Sequence, residues 1–168
     1  MAAGSTYTPL ATTILSSAAA SVTFSSISGA YTDLVLVTLS KKDVATAANE
    51  AIRFNSDTGT NYSYTLLEGT GSAAQSGRAS NATSIALDDS ALVDNSGFRP
   101  AIVSIQNYSN STTYKTILSR ANNASRGVDG IVGLWRNTAA ITSITVILQG
   151  GTSFATGSTF TLYGIAAA

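Results

Sequence analysis

The 168-residue chain contains no cysteine and no histidine, and only two prolines and one tryptophan. Without Cys and His, the usual ligand sets for zinc, copper, haem and iron–sulfur clusters are missing. A disulfide framework is missing too, as is any Ser–His or Cys–His nucleophile pair. No cofactor, no metal and no enzymatic activity are expected. Charge is scarce: Asp, Glu, Lys and Arg make up 11% of the sequence, against roughly 25% in an average domain. Nine basic side chains balance nine acidic ones, which removes the attraction that non-specific nucleic-acid binding needs. No Lys or Arg precedes Lys41, so a secretory n-region is missing. No early apolar run approaches the ~20 residues of a membrane span. The expectation is a protein used without Sec export, with neither nucleic acid nor membrane as a partner.

Small residues fill the space. Ser and Thr supply 47 positions and Ala another 26. A hydrophobic content of 44% still argues for a folded chain, and the length suits one domain with a core. The charges are unevenly placed. The first is Asp33 and the last is Arg136, so residues 1–32 and 137–168 carry none. Such ends suit interior strands, or a contact with another subunit, since interface cores are depleted in charge.

Strand patterns recur with turn residues between them. Asp33-Leu-Val-Leu-Val-Thr-Leu39 reads as a strand buried on both faces. Ala51-Ile-Arg-Phe-Asn55 alternates, with Ile52 and Phe54 inward and Arg53 outward. A turn cluster over residues 56–61 leads to a returning strand, Tyr62-Ser-Tyr-Thr-Leu-Leu67. Residues 69–81 read as a Gly/Ser/Ala loop, and 44–51 as a helical turn or loop. Pro100-Ala-Ile-Val-Ser-Ile-Gln106 and Tyr114-Lys-Thr-Ile-Leu-Ser-Arg120 flank the polar loop 107–113. Further strands are expected near 7–15, 21–24, 83–87, 130–136, 141–148 and 158–165. Nine or ten strands at this spacing predict an all-β fold, an antiparallel β-sandwich of the jelly-roll type. Residues 1–20 would form an extended arm or edge strand and 21–168 the sandwich. The expected core includes Leu34, Leu36, Phe54, Val103, Ile105, Ile117, Trp135, Ile144, Val146, Phe160 and Leu162.

Chemical motifs are weak. Asp57-Thr58-Gly59 matches the aspartic-protease triplet, but that chemistry needs a second copy, and a hairpin turn explains the residues better. Asp88, Asp89 and Asp94 offer oxygens to Ca²⁺ without EF-hand spacing, so a solvated acidic loop is expected. Asp33, Asp57, Glu68 and Asp129 would have to meet in space to serve as a hydrolase pair. Ser40-Lys41-Lys42 reads as a strand end meeting water. Tyr108 and Tyr114 bracket loop 107–113 and, with Asn107 and Asn110, are the candidate surface or receptor contacts.

Several segments together resemble a known family. They are Tyr7-Thr-Pro-Leu-Ala-Thr-Thr13, Ser16-Ser-Ala-Ala-Ala-Ser-Val-Thr-Phe-Ser-Ser-Ile27, Tyr31-Thr-Asp-Leu-Val-Leu-Val37, Ile52-Arg-Phe-Asn-Ser-Asp-Thr-Gly-Thr-Asn-Tyr-Ser-Tyr64, Ile105-Gln-Asn-Tyr-Ser-Asn110, Trp135-Arg-Asn-Thr-Ala-Ala-Ile-Thr-Ser-Ile144 and Gly157-Ser-Thr-Phe-Thr-Leu-Tyr-Gly-Ile165. The pattern is similar to small tailed-bacteriophage virion proteins and fibre-terminal domains. The resemblance implies a β-sandwich displayed on the particle, commonly a homotrimer, assembled in the host cytoplasm. It implies other virion proteins as partners: the major capsid protein for a decoration (cement) protein, or tail components and a host-surface glycan for a tail-fibre tip. The strand-like sequence that follows Met1 almost at once favours the decoration protein.

Overall fold

The computed structural model describes residues 6–166. It contains twelve strands and, among the described residues, no helix. They are β1 (Tyr7–Ile14), β2 (Ser21–Phe24), β3 (Asp33–Ser40), β4 (Glu50–Phe54), β5 (Tyr62–Gly69), β6 (Ala74–Ala82), β7 (Ile85–Ala86), β8 (Arg99–Gln106), β9 (Lys115–Asn123), β10 (Gly127–Trp135), β11 (Ile144–Leu148) and β12 (Thr159–Ile165). An eight-stranded sheet runs β1-β12-β3-β8-β9-β10-β5-β6, and a four-stranded sheet runs β2-β11-β4-β7. Every pairing is antiparallel.

The winding is that of a jelly roll with additions. Setting aside β1, β12 and the hairpin β8–β9, the remaining strands order as β3-β10-β5-β6 over β2-β11-β4-β7. β2 pairs with β11, β4 with β7 and β5 with β6, while β8–β9 is inserted between β3 and β10. One apolar cluster draws side chains from both sheets, as sheet-on-sheet packing requires. All eleven expected core residues are in it, none more than 3% exposed. β1 lies at one edge of the large sheet, paired with β12, and residues 1–5 lie outside the described residues.

Residue 133 shows how closely the sheets approach. A Cβ on Gly133 would stand 2.4 Å from Ile85 Cγ2 and 2.9 Å from Ile117 Cγ1. Gly133→Ala is therefore expected to cost about 1–3 kcal/mol through overpacking. Urea-unfolding midpoints would show it, and an unchanged midpoint would refute the close contact.

Several sequence expectations are corrected. The outer face of β3 is open rather than buried: Leu34, Leu36 and Thr38 point into the core, while Val35 and Val37 are half-buried and Leu39 is exposed. β5 does not return alongside β4, because the two strands belong to different sheets. The turn at 56–61 is thus a corner between sheets. Asp57 fastens it: Trp135 Nε1 donates to Asp57 Oδ2 at 2.7 Å, Asn61 Nδ2 donates to the same oxygen at 2.9 Å, and the Gly59 N–H donates to Oδ1 at 2.8 Å. The indole bond above all holds this carboxyl below its ordinary pKa. Within the expected loop 69–81 lies most of β6, a strand held by backbone pairing to β5. Ser40 and Lys42 are buried rather than at a wet strand end.

Candidate interaction surface

Three of the four candidate contact residues turn out to build the loop they stand on. Tyr108 is fully buried, which corrects its expected surface role. Its hydroxyl donates to the Ser28 carbonyl and accepts from the Tyr31 N–H at 3.4 Å, and its own carbonyl accepts from the Ile141 N–H at 2.9 Å. An aromatic ring with a polar tip is suited to this kind of anchorage. Asn110 Oδ1 accepts from the Thr112 and Thr113 N–H groups at 2.7 and 2.9 Å, an Asx turn. Asn107 turns the chain at φ 51° and donates its N–H to Asp33 Oδ1 at 2.6 Å. Tyr114 alone presents its ring to solvent, at 55% exposure.

The acidic loop does not converge on a cation. Asp88 faces Arg99, Asp94 pairs with Arg126 at 2.7 Å, and Asp89 lies in the field of Glu68 and Asp129. Among the described residues, no three acidic side chains are grouped to hold a metal. Glu68 and Asp129 do meet, as register partners bridged by Ser90 Oγ at 2.9 and 2.8 Å. Asp33 and Asp57 are tied elsewhere, to Asn107 and Trp135.

A buried charge cluster was not foreseen. Arg99 Nη2 lies 3.0 Å from Glu50 Oε2 and also contacts Asp88 Oδ2, with all three side chains fully buried. Ser40 Oγ donates to Glu50 Oε2 at 2.7 Å, and the Glu50 N–H donates to Asp88 Oδ2 at 3.1 Å. Two carboxylates share one guanidinium. Burial, reinforced by the Glu50 charge and opposed by Arg99, pushes Asp88 up to about 7. The signal in the sequence was the alternation that already placed Ile52 and Phe54 inward, because it places Glu50 on the same face.

The outer face of the eight-stranded sheet is the most unusual surface. Strand register aligns Val35, Ser104, Leu118, Val132 and Thr65 in one row across β3, β8, β9, β10 and β5. The next row holds Val37, Ile102, Arg120, Gly130 and Leu67. Beyond it, Leu39 lies beside Pro100, and Asn122 beside Val128. Leu67 is 69% exposed, Val128 57%, Val132 55%, Leu118 49%, Leu39 42% and Ile102 38%. These side chains stand on neighbouring strands, so the exposed apolar surface is grouped rather than scattered. These residues come from the charged middle of the sequence, not from its uncharged ends. Among the described residues, Arg120 makes no ion pair and no side-chain hydrogen bond. No protein-family model matches the chain, and no curated protein gives a significant sequence match.

Proposed function

We propose that this chain is a non-enzymatic structural protein of a tailed-bacteriophage virion, a decoration protein carried as an oligomer on the capsid shell. The observation that carries the reading is the apolar outer face of the large sheet, which suits a component of an assembly better than a solitary domain. The sparse charge of the sequence supports it, because packing then desolvates few ions, the costliest groups to bury. The resemblance to small virion proteins supplies the kind of assembly. Cryo-electron microscopy of intact particles tests the proposal: density on the shell is expected. Absence from the particle, or density confined to the tail, overturns it.

One observation favours a fibre-tip role instead, namely the exposed Tyr114 ring beside a loop rich in Asn, Ser and Thr. A ring so placed suits stacking on a host sugar. Since Tyr108 is an anchor, only Tyr114 can be truncated without disturbing the loop. For a decoration protein, Tyr114→Ala is expected to leave host adsorption within about twofold of the parent, well below the ~10-fold that 1.4 kcal/mol of binding represents. Slowing by tenfold or more with intact capsids would reverse the order of the two readings.

A further inference from the structure

We infer that the outer face of the eight-stranded sheet packs on the same face of a second copy, about a two-fold axis passing close to Ser104. The inference rests on reading this face as an assembly surface. Size is the first argument. The five strands that carry the apolar rows, at ~4.8 Å spacing and with about seven residues at ~3.3 Å rise, give a patch of roughly 550 Å². Two copies together then clear the ~1,000 Å² that a specific interface needs.

Charge is the second argument, and it selects the partner. Two guanidiniums stand on this face: Arg78 on the edge strand β6, next to Thr65, where it can stay in water, and Arg120 near the centre. An occupant must answer Arg120, which lies in apolar surroundings, because an unpaired charge is costly to bury. The face carries its own answer in Asp33. Arg120 lies in the row of Val37, and Asp33 lies four residues away along β3, two strands from β9. Ideal spacings separate the two positions by roughly 16 Å, far too much for an ion pair within one chain. Midway between them, on β8, is Ser104, in the row of Val35 and Leu118. A two-fold axis above Ser104, parallel to the sheets and at right angles to the line from Arg120 to Asp33, exchanges the two positions, so each Arg120 meets the Asp33 of the other copy. Such an isologous contact makes every pair twice. Asp33 uses Oδ1 on the Asn107 N–H, and Oδ2 has no partner among the described residues.

Two competing arrangements are less well supplied. Strand addition at the β1 edge is obstructed by Pro9 and the register shift beside it. A trimer needs two different complementary patches, whereas this face needs only itself.

Native mass spectrometry and sedimentation of the purified chain test the inference. The parent is expected to be a dimer. Arg120→Glu sets like charges against each other across the axis, and at least a tenfold loss of dimer affinity is expected. Asp33→Arg should do the same. The double variant R120E/D33R restores both pairs and is expected to return within about threefold of the parent, a recovery that damage to the fold would not produce. Asp33→Asn removes the charge while keeping an acceptor for Asn107, and should weaken the dimer with the loop intact. A parent that is monomeric or trimeric at high concentration overturns the inference, as does a dimer indifferent to all of these changes. A monomer that still decorates particles refutes self-pairing and leaves the proposed function standing. A dimer missing from particles does the reverse.

Discussion

Arg99→Met is expected to destabilise the domain by about 3–5 kcal/mol at neutral pH, the cost of removing one partner from a buried ion cluster. The methionine would fill much of the space but leave Glu50 and Asp88, both fully buried, without their shared cation. Urea midpoints between pH 4 and 8 give the measurement and carry a second signature. In the parent, Asp88 is raised from 3.8 to about 7. The folded state therefore holds a proton that the unfolded chain releases. That contribution is complete below about pH 4 and is lost as pH rises through about 7. Asp94 acts in the opposite sense: burial raises it, but the Arg126 and Ser96 bonds outweigh burial and bring it to about 2. Its contribution is present above about pH 4 and is lost as pH falls toward 2. Parent stability should thus peak near pH 4 to 5. Without Arg99, Asp88 is pushed further up, the decline continues past neutrality, and the loss against the parent shrinks in acid. A midpoint at pH 7 equal to the parent's would show that the cluster contributes no net stability. Apolar residues of matching volume at all three positions are expected to recover most of the loss.

Phe160→Ala is expected to cost about 3–5 kcal/mol, because the site is sealed and cannot collapse. Phe160 is fully buried on β12, and its ring meets Phe154 edge-on with centroids 4.9 Å apart. Phe154 is pinned in turn by backbone hydrogen bonds with Ala19 at 3.1 and 2.9 Å. The cavity would open where the large sheet meets these connecting segments. Phe160→Leu, which keeps most of the volume, should cost under about 1.5 kcal/mol. Equal urea midpoints for the two variants would mean that the cavity is refilled by its neighbours.

The core was legible because alternation alone assigns Ile52 with Phe54, or Leu34 with Leu36, to one face. The exposed face was hidden by the same rule. In β3 both alternating sets are apolar, and such a run looks the same whether it is covered on one side or two. β6 was hidden for the opposite reason. Ala-Gln-Ser-Gly-Arg-Ala-Ser-Asn-Ala has no β-branched or aromatic residue, and only the backbone of β5 makes it a strand. Tyr108 was misplaced because a loop aromatic reads as surface until its hydroxyl partners are known. The Glu50–Asp88–Arg99 cluster depends on residues up to 49 positions apart that only the fold brings together.

The position of the last two strands sets the order in which the protein can form. β12 lies between β1 and β3, and β11 lies between β2 and β4. As the chain leaves the ribosome, the hairpins β5–β6, β8–β9 and β9–β10 can close at once, since each joins neighbours in sequence. β1 and β2 have no partner until residues 144–165 have been made. Contacts spanning most of the sequence are slow to form, and folding on the millisecond-to-second scale follows for a chain built this way. Throughout that wait the first 32 residues are exposed without a single charge to discourage mispairing. Pro9, which breaks a continuous ladder, is then a guard for the nascent chain as well as for the finished edge.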